Sequence, residues 1–98
     1  MKVVVNGKQI DVGDALRTYV IDQLQNSLGK YFDDKRMDAS VTFSRHAHLF
    51  RVDCSVHAGA EIYLQSHGEA ADIYPAFDAA CERLEKRLRR YKRRLTDH

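Results

Sequence analysis

The chain has 98 residues and a formal net charge of +2; 44% of its residues are hydrophobic and 31% are charged. This composition indicates one folded domain and excludes a disordered chain, because apolar residues are frequent and charges of both signs are mixed along most of the sequence. No apolar run approaches the ~20 residues of a membrane-spanning helix, the N-terminus lacks a signal-peptide core, and the two cysteines follow no motif spacing, so we expect a cytoplasmic protein that does not contact membranes.

The N-terminal third predicts a strand followed by a helix. Residues 3–5 are three valines, and the turn-forming pair Asn-Gly comes directly after them. From about Asp14 to Phe32, apolar residues recur at every fourth position. This spacing is typical of an amphipathic helix of about five turns, and Gly29 falls within its last turn.

Three segments of alternating apolar and polar residues follow, at 39–44, 50–58 and 61–65. A period of two that is repeated three times is typical of half-buried strands with one face in water. The links between these segments are short, at 46–48 and 59–60. We therefore expect antiparallel neighbours that are joined as hairpins.

The C-terminal segment predicts a long second helix. Asp72 is a suitable N-cap, and Pro75 falls in the first turn, where its missing N–H costs little. The apolar positions that follow are three or four residues apart and form a stripe for the core: Ile73, Phe77, Ala80, Leu84, Leu88, Tyr91 and Leu95. The complete order, β-α-β-β-β-α, predicts an α+β fold: a four-stranded sheet with both helices packed on one face and the first two strands parallel.

The basic residues are concentrated near the C-terminus. Eight of the 16 lysines and arginines lie between residues 83 and 94, where Glu85 is the only acid, so this segment has a net charge of +7. Like charges four residues apart on a helix repel each other, and an ordinary solvated face intersperses acids among them. Phosphate binding is the better explanation of such a run. Six of the eight residues are arginines, which favours forked contacts to phosphate.

Other candidate chemistries lack residues that converge. Cys54 and His57 are three residues apart on a predicted strand and point to opposite faces, which argues against a metal site and against a nucleophile–base pair. The five glycines are isolated, so no phosphate-binding loop is predicted. We therefore expect no enzyme, no cofactor and no small-molecule substrate. Tyr63 falls on the solvated face of the sheet, where it either stacks on a base or simply favours the strand.

Ordered groups of residues resemble one known family over essentially the whole chain. The groups are Gly7-x-x-Ile10, Asp14-Ala15-Leu16-Arg17-x-Tyr19-Val20, Leu28-x-Lys30-Tyr31-Phe32, Asp72-Ile73-Tyr74-x-Ala76-Phe77-Asp78 and the basic segment 83–92. In this order and at this length they resemble the ribosome hibernation promoting factors, a family that includes the ribosome-associated inhibitors. The chain departs from the family pattern at Gly13, where a capping residue is usual, and at Arg87 and Arg93, which add charge.

The resemblance implies a double-stranded-RNA-binding-like fold and a single ribosome-binding domain over residues 1–98. It also implies binding to the rRNA of the small ribosomal subunit, in the channel for messenger and transfer RNA, which silences translation during stress or stationary phase. The positions implied to face rRNA are Arg83, Lys86, Arg87, Arg90, Lys92 and Arg94. The family has short and long forms, and we expect a short form, or the N-terminal domain of a long form, that is monomeric in isolation.

Two other functions are compatible with the residues themselves. A general double-stranded-RNA-binding module would use the same basic helix on other RNAs. A protein-interaction domain would use it on an acidic partner. Competition by an arbitrary RNA duplex distinguishes the first of these from a ribosome-specific factor, and failure to bind any RNA at physiological salt would indicate the second.

Overall fold

The secondary-structure elements follow the order that the sequence predicts. The computed structural model describes residues 1–30, 37–58 and 62–96, and it describes side chains as far as Tyr91. The elements in chain order are β1 (Lys2–Gly7), α1 (Asp14–Leu28), β2 (Met37–His46), β3 (Leu49–Ala58), β4 (Ile62–Ala70) and α2 (Ile73–Thr96). The predicted β-α-β-β-β-α arrangement is confirmed.

The four strands form one sheet in the order β1-β2-β3-β4. β1 and β2 are parallel, as expected for two strands that are joined through a helix. The pairs β2–β3 and β3–β4 are antiparallel. A two-residue loop joins β2 to β3, and its first residue, Ala47, has a φ of 60°; the link predicted at 59–60 lies outside the described residues. The order places β1 and β4 at the edges of the sheet.

Both helices pack on the same face of the sheet, as predicted. Side chains alternate between the two faces of a strand, so every second residue of β2 and β3 points toward the helices. The buried side chains of strands and helices form one core, which includes Val41, Phe43, Val52 and Val56 from the sheet, Leu16, Val20, Leu24 and Leu28 from α1, and Phe77, Ala80, Leu84 and Leu88 from α2. The other face of the sheet is polar along β2, β3 and β4.

The first helix is shorter than its apolar spacing predicted. α1 ends at Leu28, and Gly29 is its C-cap, with its N–H bonded to the backbone oxygen of Gln25 at 3.0 Å. The predicted end at Phe32 is therefore wrong, because glycine is a poor helix former and ends the helix although the apolar spacing continues. Phe32 itself lies outside the described residues.

The last strand is longer than its alternation predicted. β4 extends to Ala70, whereas the apolar alternation ended at residue 65. The later inward positions, Ser66 and Gly68, are small because α2 lies directly on them. Ser66 Oγ donates to the backbone oxygen of Ala80 at 2.7 Å, and a Cβ at Gly68 would lie 2.5 Å from the backbone oxygen of Ala76. At these two positions the close packing of α2 on β4 requires small residues, so the apolar alternation does not continue.

Gly68→Ala tests this close approach. The added methyl group cannot fit between β4 and α2 without moving backbone, so we expect the free energy of unfolding to fall by about 1–3 kcal/mol. Gly13→Ala is the matched control, since nothing lies within 4 Å of a Cβ at Gly13; it should change stability by less than about 1 kcal/mol, because alanine is a poorer N-cap than glycine but loses less chain entropy on folding. Denaturant titration followed by circular dichroism measures both, and equal stabilities of the two variants would contradict the packing described above.

Tyr19 joins α1 to α2. Its hydroxyl donates to Asp78 Oδ1 at 2.6 Å, and its ring lies edge-on to Tyr74 and Phe77, with centroid separations of 5.0 and 5.9 Å. The hydrogen bond to the carboxylate is the main reason that the pKa of Tyr19 is raised from 10.0 to about 12. Deprotonation would remove the donor and bring two negative charges together, so the neutral phenol is favoured in the folded state.

Tyr19→Phe should remove a pH-dependent part of the stability. Because the folded-state pKa is raised above the unfolded value, the contribution is complete below pH 10.0 and is lost as the pH rises through about 12. We expect the variant to lose about 0.5 kcal/mol at neutral pH, since the hydrogen bond is exposed to water. Denaturant titrations of both proteins at increasing pH measure the difference, and a difference that grows above pH 10.0 would contradict the assignment.

Candidate nucleic-acid interface

The basic residues of α2 lie on the side of the helix away from the core. Leu84 and Leu88 are fully buried, while the neighbouring basic side chains are exposed: Arg83, Lys86, Arg87, Arg89 and Arg90. The separation follows from the helical period, because residues three or four apart share a face. The backbone of α2 continues to Thr96, and the side chains of Lys92 and Arg94 lie outside the described residues. We call Arg83, Arg87 and Arg90 the basic stripe.

Two arginines of the basic stripe also contact β4. Arg83 Nη1 donates to the backbone oxygen of His67 at 2.8 Å, and Arg87 Nη1 donates to the backbone oxygen of Gln65. Because β4 is an edge strand, the carbonyl groups on its outer side need donors that do not come from a neighbouring strand. Each guanidinium has five N–H donors, so one contact to β4 leaves the others for a phosphate.

The spacing of these two arginines matches the spacing of the two carbonyl groups. Four residues of a helix rise ~6 Å along its axis, and two residues of an antiparallel strand rise ~6.8 Å. Arg83 lies beside His67 and Arg87 beside Gln65, so the helix and the strand run in opposite directions. These contacts were not predicted from the sequence. The four-residue spacing of Arg83 and Arg87 is visible in the sequence, but it indicates contacts with β4 only when α2 is known to lie along that strand.

α2 carries opposite charges on its two sides. The basic stripe follows β4, whereas Asp78, Glu82 and Glu85 line a groove beside α1, together with Tyr19 and Ser27. A polyanion is attracted to the β4 side of the helix, whereas these acids oppose its approach to the first turns of the α1 side; Arg89, four residues after Glu85, adds positive charge to that side further along the helix. The basic stripe therefore faces the β4 side of the domain, which the net charge of the segment alone does not show.

Lys86 lies at the boundary between the two sides. Its Nζ is 3.7 Å from Glu82 Oε1, and both side chains are exposed. An exposed pair of this kind contributes a few tenths of a kcal/mol, about 0.3–0.5 for residues four apart on a helix. Glu82 lies just outside the basic segment, so the pairing partly offsets the charge of Lys86. Lys86 was predicted to act with the arginines, and its pairing with Glu82 was not predicted.

The residues that were weighed for other chemistry lie apart. Cys54 faces the helices and His57 is exposed on the opposite face, as predicted. Burial raises the pKa of the Cys54 thiol to about 12, so the group is protonated at neutral pH. Within residues 1–30, 37–58 and 62–96, no three histidine, cysteine or acidic side chains are grouped to hold a metal ion. None of the helices in these ranges is long and apolar enough to cross a membrane.

Known proteins resemble this chain in sequence. Residues 3–96 match the family model described as sigma 54 modulation protein / S30EA ribosomal protein. A ribosome hibernation promotion factor of Rhizobium meliloti (strain 1021) is 43% identical over 98 residues, which cover 100% of this chain and 51% of the relative. Another, of Bradyrhizobium diazoefficiens, is 40% identical over 97 residues, which cover 99% of this chain and 47% of the relative. The chain thus spans about half the length of these curated relatives.

A solved structure shares the fold. The crystal structure of the N-terminal domain of Thermus thermophilus protein Y matches with a TM-score of 0.81 and 28% sequence identity, covering 93% of this chain and 99% of that domain. The likeness therefore extends from the short motifs to the whole arrangement of sheet and helices. The chain belongs to the sigma 54 modulation protein / S30EA ribosomal protein family, which confirms the resemblance to the ribosome hibernation promoting factors.

Proposed function

We propose that this chain is a ribosome hibernation factor whose basic stripe binds the rRNA of the small ribosomal subunit. The observation that carries the proposal is the position of the stripe: three exposed arginines on the β4 side of α2, two of them held on the edge of the sheet. The names of the similar proteins from two bacteria support a role in ribosome hibernation. Residues 1–98 act in this proposal as one ribosome-binding domain.

Phosphate neutralisation supplies the affinity. Arginine side chains displace condensed counterions from RNA, so the logarithm of the binding constant falls linearly with the logarithm of the salt concentration, with a slope proportional to the number of phosphates contacted. The contacts of Arg83 and Arg87 with β4 restrict both side chains before RNA arrives. Less conformational entropy is then lost on binding, and the remaining N–H groups can make forked contacts to phosphate oxygens.

Silencing of the ribosome is steric in this proposal. The domain lies in the channel that messenger and transfer RNA use, and its folded body excludes both during stress or stationary phase. No covalent step is required, which agrees with a protonated Cys54 buried beneath the helices. Lys92 and Arg94 extend the proposed rRNA-binding surface toward the end of α2, and Lys86 contributes at its border.

Reversal of the basic stripe should abolish ribosome binding. The triple variant Arg83→Glu, Arg87→Glu, Arg90→Glu places acids where phosphates would lie, so we expect co-sedimentation with purified small subunits to weaken by about 100-fold or more, a loss of about 3 kcal/mol. The control is Lys2→Glu, Lys8→Glu, Lys30→Glu, which changes the net charge equally at exposed residues outside α2. It should retain most of the affinity and its salt dependence.

Three results would count against the proposal. Equal losses in the two triple variants would show that only net charge matters. Binding of the unaltered chain that does not weaken with salt would exclude phosphate neutralisation. An arbitrary RNA duplex that competes as well as small subunits would indicate a general RNA-binding module instead. Circular dichroism of each variant confirms that the comparison is made between folded proteins.

Arg83→Lys, Arg87→Lys tests the contribution of the contacts with β4. Lysine keeps the charge but has one ammonium group, which cannot hold a carbonyl of β4 and form a forked phosphate contact together. We expect the affinity for small subunits to fall about 5- to 10-fold, or about 1 kcal/mol. Arg90→Lys, on the same stripe, is the control and should lower the affinity by less than half as much in free energy. A larger effect of the control would refute the role of the edge contacts.

A further inference from the structure

The face of the sheet opposite the helices carries an ordered aromatic pair. Tyr63 on β4 lies directly across from His57 on β3, and the two ring centroids are 4.6 Å apart in an edge-to-face arrangement. Gln65 Nε2 donates to the Tyr63 hydroxyl at 2.6 Å. The tyrosine ring is therefore held from two sides, yet 53% of the residue is exposed.

This arrangement differs from that of the other exposed tyrosine for which the structure describes a ring contact. Tyr74 on α2 is 40% exposed, but it packs edge-on to Tyr19 between the two helices. Among the described residues, the ring that contacts Tyr63 is the small imidazole of His57, and Gln65 is its polar neighbour on the same face of β4. A fixed aromatic ring with a free face, on the open face of a sheet, is the kind of group on which unpaired bases stack.

A polar depression on the open face adjoins the groove that Tyr63 lines, and Ser40 and Ser55 belong to both. Its lining includes the hydroxyls of Ser40, Thr42 and Ser55, the amide of Gln65 and the guanidinium of Arg87. These groups supply both donors and acceptors, which suits the hydrogen-bonding edge of a base. Residues at the same height on neighbouring strands are in register, since Ser55 lies across from Ser40 and Gln65.

The charged side chains described on the open face leave a small net negative charge, since Lys2 and Asp38 offset each other and one arginine faces two acids. Arg51 lies between two acids, 3.2 Å from Asp53 and 3.2 Å from Glu69. Such a surface does not attract a row of phosphates, but it presents no barrier to a neutral base. The phosphates of a bound RNA strand would instead follow the edge of the sheet, where Arg83 and Arg87 lie along β4.

Arg87 connects the two surfaces. It belongs to the basic stripe, it contacts the outer edge of β4 at Gln65, and it also lines the depression on the open face. An RNA strand whose phosphates bind at this edge can place its bases on the open face while its phosphates remain in contact with the arginines. The edge of β4 is therefore continuous with both the proposed rRNA surface and the aromatic pair.

We infer that the open face of the sheet is a second RNA surface, which receives unpaired nucleotides. A base stacks on Tyr63, its edge bonds to Gln65 and Ser55, and the adjoining phosphate lies at Arg87. The inference rests on the proposed function, because the basic stripe brings RNA to the edge of β4. It adds a class of ligand: single-stranded nucleotides beside the paired rRNA, rather than duplex alone.

The test compares a short single-stranded oligoadenylate with a fully paired RNA hairpin. Titration of the isotope-labelled chain should shift the ring resonances of Tyr63 and His57 and the amides of β3 and β4 with the oligoadenylate, while the hairpin should shift mainly α2. Tyr63→Leu should weaken oligoadenylate binding about 5- to 150-fold, the range that base stacking supplies, and leave hairpin binding unchanged. Tyr63→Phe should retain most of the affinity, and Tyr74→Leu is the control at an exposed tyrosine outside the open face.

The outcomes separate this inference from the proposed function. Unchanged oligoadenylate binding by Tyr63→Leu, or shifts confined to α2, would overturn the open-face surface and leave the role of the basic stripe intact. Loss of small-subunit binding in the charge-reversed triple variant alone supports the stripe but not the open face. Shifts of Tyr63 that are as large with the hairpin as with the oligoadenylate would also overturn the inference, since the open face would then not select unpaired nucleotides. Both variants of Tyr63 alter an exposed side chain, so the fold is expected to persist.

Discussion

The close contact between α2 and β4 is the constraint on which the rest of the structure depends. Small residues make it possible. The backbone of α2 at Ala76 occupies the space that a side chain at Gly68 would need, and the hydroxyl of Ser66 donates a hydrogen bond to the backbone oxygen of Ala80. With the helix held at this distance, arginine side chains one turn further along can reach the backbone of the edge strand. A larger residue at either position would move the helix outward, and the guanidinium groups would lose their acceptors.

The same contact explains how one helix serves both the core and the surface. Leu84 and Leu88 lie in the core on the inner side of α2, while Arg83 and Arg87 donate hydrogen bonds to the outer carbonyl groups of β4. An unprotected edge strand is a site for unwanted pairing with other chains. Charged side chains along that edge prevent such pairing, and they also concentrate positive charge where a phosphate backbone can approach. The contacts that protect the edge of β4 and the proposed phosphate contacts thus involve the same two residues.

Much of the fold could be predicted because its patterns are local. Period-two alternation identified β2 and β3, and three- or four-residue spacing identified the buried side of α2. The failures have physical reasons. Gly29 ended α1 although the apolar spacing continued, because backbone preference outweighed pattern at that position. β4 was predicted too short because Ser66 and Gly68 are small where α2 packs closely against the strand. α2 is distant in sequence, so the apolar alternation within β4 does not reveal this contact.

For the candidate site, the sequence by itself determined the charge of the segment from 83 to 94, its helical spacing and its separation from the core. Only the tertiary structure decided that this charge lies along β4 and that the acids of α2 lie along α1. It alone paired Tyr63 with His57 and brought Arg87 beside Gln65. The reason is that helical and strand periods depend on neighbouring residues, whereas these contacts join residues on different elements and depend on the register in which α2, β3 and β4 pack.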